Sequence, residues 1–163
     1  MAFWTESTLE PLRKFRFQIQ FGDETMWYAK SVTQPSPEVS VSEHQLINHK
    51  IKYPGIVTWN DIDITIVDFK PESGKGSMGK KLRTALASFG YSPDGNAGGI
   101  IKQQYLGEKD FVINKIDADG KTIETWNLKN PFIKSIKYGD LDYSSDELLE
   151  ITITVAYDSA TLT

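Results

Sequence analysis

Four stretches have residue types and spacings that could do chemistry, and each lacks a part the chemistry needs. Gly74-Lys75-Gly76-Ser77-Met78-Gly79-Lys80-Lys81 spells G-x-x-x-x-G-K after a strand and at the opening of a helix, the setting in which backbone N–H groups cradle phosphates. Lys81 stands where a magnesium-holding Ser or Thr belongs. A glycine loop capping a basic helix uses the same residues. Asp117-Ala118-Asp119-Gly120 begins like a calcium loop, but its twelfth position is Leu128, where a bidentate Glu is required; a hairpin turn is the plainer reading. His44 and His49 lie five apart in a polar segment with no third ligand at a metal-binding spacing. Asp140, Asp142, Asp146, Glu147 and Glu150 form an acidic run. Paired acids can hydrolyse glycosides, yet a run on a turn entering a strand is ordinarily a solvated face. There is no cysteine and no G-x-S-x-G serine. The sequence predicts no catalytic residue, no cofactor and no metal.

The elements that carry these stretches belong to one domain, residues 1–163. An apolar fraction of 39% with 12% aromatic residues supports a core and argues against disorder. Eighteen basic against 22 acidic residues leave a charge of −4, which exerts no general pull on nucleic acid. No apolar run nears the ~20 residues of a membrane span, and the N-terminus lacks the basic start and apolar stretch of a signal peptide. No membrane partner is expected.

Period-two alternation dominates the chain. It marks strands at 14–21, 61–66, 111–116, 122–128, 132–138 and 149–157, with 26–32 as the partner of the first across a Gly22-Asp23 turn. Val39 to Ser42 is weakly strand-like. Residues 43–58 read as a long hairpin or loop reaching away from the core, with Pro54-Gly55 as a turn. Leu82, Ala85, Leu86 and Phe89 make the stripe of an amphipathic helix over 80–90, capped by Gly90. The expected fold is mainly β: a β-sandwich or partial barrel with one flanking α-helix. Phe3 and Trp4 give the N-terminal tip an apolar character suited to an arm, residues 1–12, that docks on a neighbour or folds back on its own sheet.

Three stretches in order resemble the tail tube proteins of contractile-tailed, T4-like bacteriophages. They are Phe15 to Ile19; His49-Lys50-Ile51-Lys52-Tyr53-Pro54-Gly55 leading into Trp59 to Asp68; and Trp126 to Phe132, then Gly139 to Asp146, then Ile151 to Tyr157. Order and spacing agree from about residue 10 to 158, while the glycine-rich segments 72–79 and 92–99 match nothing. The resemblance implies a structural virion protein, not an enzyme. Such subunits form hexameric rings, contribute strands to a ring-shaped oligomeric barrel, and stack into a tube through which DNA is ejected. Implied partners are the protein itself, a sheath protein, baseplate and tail-terminator proteins, and DNA passing transiently through the lumen. A virion tail, assembled in the host cytoplasm, is the implied location. A phage-like injection device, a type VI-type device or a tube initiator would share the fold. A monomeric β-sandwich binding module and a carboxylate-based glycosidase are the remote alternatives.

Within that resemblance, the arm and the 43–58 segment become inter-ring contacts. Phe3, Trp4, Ile47, Ile51 and Tyr53 are the expected apolar anchors. Lys50 and Lys52 are the expected charge partners of acids in the next ring, such as the 140–147 run. Asp61, Asp63, Thr65, Glu150, Thr152 and Thr154 are the candidate lumen-facing residues. A small, polar, partly acidic face repels phosphate. A competing assignment puts Lys14, Arg16, Gln18 and Gln20 on the same wall, where they would temper the negative field.

Overall fold

Alternating apolar residues bury one face of each strand, so the chain folds as layers of sheet. The computed structural model describes residues 11–21, 24–25, 29–68, 70, 76–88 and 111–163. Among these are eleven strands and one helix. The first sheet contains β1 (Phe17–Phe21), β2 (Glu24–Thr25), β7 (Phe111–Ile116), β8 (Thr122–Lys129) and β11 (Ser159–Leu162), in the order β11-β8-β7-β1-β2. The second contains β3 (Ala29–Val32), β6 (Ile62–Val67), β9 (Phe132–Tyr138) and β10 (Glu150–Ala156), in the order β3-β6-β10-β9. The remaining pair, β4 (Pro37–Leu46) and β5 (His49–Trp59), forms a separate two-stranded ribbon. All pairings are antiparallel.

The core lies between the two large sheets. Ile62, Ile64 and Ile66 of β6 and Ile151, Ile153 and Val155 of β10 meet Ile19, Phe111, Ile113, Leu128 and Ala160 of the first sheet in one buried cluster. Met78 and Leu82 of α1 (Met78–Ser88) join it. Asn130, at a left-handed φ of 51°, and the buried Pro131 carry the chain from β8 in one sheet to β9 in the other. The Asn130 amide donates to Asp158 (2.8 Å).

Several local expectations change. Lys14 and Phe15 form a turn, closed by Arg16 N–H to the Arg13 carbonyl (3.3 Å), and the first strand starts at Phe17. The partner of β1 across Gly22-Asp23 is the two-residue β2, and its long partner is β7. Ala29–Val32 instead pairs with β6 in the other sheet. Pro54-Gly55 is no turn but an irregularity inside β5, opposite Val41. Ser40 Oγ accepts the Ile56 N–H there (2.9 Å), and a Cβ on Gly55 would fall 2.3 Å from that oxygen. Each strand of a two-stranded ribbon is an edge, where a proline's missing donor is tolerated. The helix begins at Met78, two residues before the expected start, and is described to Ser88; Phe89 and Gly90 lie outside the described residues.

Candidate assembly surfaces

The ribbon continues the β3–β6 pair. Thr33 N–H donates to the Asp63 carbonyl (2.9 Å) and Asn60 N–H to the Ser36 carbonyl (3.0 Å), so the ladder passes from sheet into ribbon. Ten residues at about 3.3 Å each make β4 about 30 Å long. Every residue of β4 is exposed, and only Ile51 and Trp59 of β5 are half-buried. The register sorts the ribbon into two faces. Ser42, His44 and Leu46 lie opposite Tyr53, Ile51 and His49, while Glu43 and Gln45 lie opposite Lys52 and Lys50. Ile51 and Tyr53 therefore share an apolar and imidazole face, and Lys50 and Lys52 the ionic one. Both lysines approach Glu43, at 3.2 and 3.9 Å. Ile47 sits at the turn, 87% exposed, at a φ of 48°. A β-branched residue in that region is strained. Phe3 and Trp4, with most of the arm, lie outside the described residues.

The candidate lumen residues come together on the outer face of the second sheet. Thr65 lies opposite Thr152, Asp63 opposite Thr154, and Glu150 opposite Val67. Thr154 Oγ1 donates to Asp63 (2.7 Å). Asp61 lies just before β6 and is bound by Lys134 of β9 (2.5 Å); Glu150 is bound by Lys30 of β3. These contacts hold both ammonium groups above the usual lysine range. Lys137, opposite Thr152, lies on the same face. Three lysines thus offset three carboxylates, and the small, polar, partly acidic face expected from Asp61, Asp63 and Glu150 is a charge-balanced hydroxyl face. The three lysines escaped sequence reasoning because the irregular registers of β3 and β9 hide their face. Of the competing residues, Gln18 and Gln20 belong to the other sheet and Lys14 to a turn.

At the far end of the second sheet is the loop between β9 and β10. Asp140 to Leu148 are all exposed, including Leu141, Tyr143 and Leu148. Asp142 Oδ1 accepts the Ser144 N–H (2.9 Å) and hydroxyl (2.8 Å). These two bonds hold its carboxyl below the usual range. Asp142 is thus engaged in turn structure.

The remaining motifs serve the fold. Asp117 Oδ1 accepts the N–H groups of Asp119 (2.9 Å) and Lys121 (2.8 Å), and Gly120 takes φ +80°, which makes an Asx-type hairpin turn. At the start of α1, Lys81 N–H donates to the Ser77 carbonyl (3.0 Å) and Met78 N–H to the Asp68 carboxylate (3.1 Å). A carboxylate of this chain thus caps the helix N-terminus, while Gly74 and Lys75 of the glycine loop lie outside the described residues. Gly79 lets the helix approach the Tyr138 ring. His44 and His49 join no metal-ligating group among the described residues, and no described helix is long and apolar enough to cross a membrane.

No family model and no curated protein matches the chain. Solved structures do. A chain of the sheath–tube complex of an extracellular contractile injection system, PVC, in its extended state is 21% identical, with a TM-score of 0.73 over 100% of this chain and 98% of that one. A chain of the anti-feeding prophage tube-terminating cap is 19% identical, with a TM-score of 0.73 over 100% and 99%. The SPP1 tail tube is 12% identical, with a TM-score of 0.53 over 94% and 79%. The fold is that of tube proteins of contractile injection systems and phage tails.

Proposed function

We propose that this chain is a tube subunit. Copies form rings, six-fold as in the tubes it resembles, and the rings stack into a hollow channel inside a contractile sheath. The observation that carries the reading is the end-to-end likeness to a chain of a sheath–tube complex. The edges β3 and β9 of the second sheet fit the same role, because an unpaired edge is stabilised by pairing with a neighbour and a ring removes edges by closure. The hydroxyl-rich outer face of that sheet would line the lumen. Sheath, baseplate and terminator proteins are the expected partners, and the assembled particle is the expected location. Its role is structural rather than enzymatic.

A tail-derived injection device is favoured over a DNA-ejecting tail by the higher similarity to the injection-system chain, 0.73 against 0.53. The balanced face agrees, since it lacks the negative field that would repel phosphate. Electron microscopy of concentrated protein, with its mass in solution, tests the tube. Hollow tubes or rings of uniform width are expected, on a baseplate extract if a nucleus is needed. A strict monomer under both conditions overturns the reading. Nucleic acid in intact particles would return the choice to the virion tail.

A further inference from the structure

We infer that Lys30 and Lys134 guard the two edges of the second sheet in the free subunit, holding each edge in a bulged form that does not pair with an unmatched strand. This rests on the tube reading for what the edges finally meet. The sheet order β3-β6-β10-β9 leaves β3 and β9 outermost. Both carry the same short pattern, Ala29-Lys30-Ser31-Val32 on β3 and Ile133-Lys134-Ser135-Ile136 on β9. Both registers break at its lysine. Ala29 lies opposite Ile66 and Ser31 opposite the adjacent Thr65, so Lys30 is an extra residue. Ile133 lies opposite Val155 and Ser135 opposite the adjacent Thr154, so Lys134 is another. An extra residue of this kind makes a bulge, which bends the strand and interrupts the ladder.

Each bulge lysine turns inward. Lys30 crosses β6 to reach Glu150 of β10, and Lys134 crosses β10 to reach Asp61, just before β6. Each span is two strands wide, about 10 Å, so the side chain lies across the sheet instead of out from its edge. Short strands, bulges and inward-turned charges, lysine above all, are the devices by which sheets avoid pairing edge to edge. The first sheet uses shortness, its edges β2 and β11 having two and four residues. The second ends on the seven-residue β9 and uses the bulged lysine. Stability does not account for the two ion pairs, since both lysines are 59% exposed and pairs at such sites contribute little. Lys137 supplies the contrast: it shares the strand and face of Lys134 but sits in regular register opposite Thr152.

The test is the threshold concentration at which the purified protein associates without a nucleus, read by light scattering and sedimentation. Lys30→Thr/Lys134→Thr is expected to associate at a concentration about ten-fold lower than the unsubstituted protein, the scale of two cross-strand charge pairs. Lys134→Thr alone should lower the threshold by part of that, and Lys137→Thr not at all. Lys30→Arg/Lys134→Arg should keep the guard. Where threonine lowers the melting temperature of the subunit, Lys30→Gln/Lys134→Gln repeats the test with a longer neutral side chain. An unchanged threshold in the neutral variants, or an equal fall with Lys137→Thr, overturns the guard, and tubes grown on a baseplate extract would leave the tube reading standing. An unsubstituted protein that never assembles on that extract overturns the tube reading alone, and the thresholds still decide the guard.

Discussion

The β3–β6 pair and the β4–β5 ribbon are one continuous stretch of paired strands that behaves in two ways. Inside the sheet, Ile62, Ile64 and Ile66 are at most 1% exposed. Beyond Trp59 the same ladder carries Val39, Val41 and Ile56 in the open. Backbone pairing is the same in both halves, so pairing does not decide stability. Burial does, at about 25 cal/mol per Å² of apolar surface. The inner half is complete within one copy, and the outer half leaves its apolar side chains uncovered.

The largest expected effect falls on the inner half. Ile64→Ala should cost about 2–5 kcal/mol, as large-to-small changes in a packed core do, and should lower the melting temperature and assembly together. Next comes Ile47→Asp at the ribbon tip. The subunit's melting temperature should stay within error while tubes disappear from micrographs; a parallel loss of subunit stability would show the ribbon belonging to the core. Ile47→Gly sharpens the contrast. Relief of the left-handed strain, about 1 kcal/mol, should leave the subunit as stable or more so while stacking weakens. Gly55→Ala should loosen the ribbon at its Ser40 contact, detectable as faster amide exchange at Ile56. The smallest effect concerns pH. The Asp142 carboxyl is held low by Ser144, so its turn contributes fully above the ordinary carboxylate range and is lost as pH falls through the lowered value. The Ser144 amide resonance should shift as pH falls below the ordinary carboxylate range, without unfolding, as the group is exposed.

The two halves also differed in how far the sequence revealed them. Strict alternation at 62–67 and 150–156 reports a one-sided burial, so those strands and their polar faces were legible. Pairing was not. Gly22-Asp23 is a real turn signal, but the choice of β7 as the long partner of β1 is made by the core. Pro54-Gly55 reads locally as a turn, and only the Ser40 hydroxyl lying against it makes a bulge. β11 escaped because Ser159-Ala160-Thr161-Leu162 is short and small-sided. The Asp61, Asp63 and Glu150 face was legible as polar but not as neutral, since Lys30 stands 120 residues from Glu150. The 43–58 segment was legible as a reach away from the core, with Ile47, Lys50, Lys52 and Tyr53 exposed and Ile51 half-buried. Their division between two faces needed the register.

The ladder from Val32 and Ile64 out to the tip, with its irregularity at Pro54-Gly55, has a mechanical consequence. Antiparallel hydrogen bonds run perpendicular to their strands. Traction along the ribbon axis therefore loads the rungs in shear, where many resist at once, whereas peeling the strands sideways would open them singly. A tip gripped by the next ring would pass axial tension into the isoleucine layer of its own sheet. Rings joined this way would resist being pulled apart along the tube far better than being bent away from it.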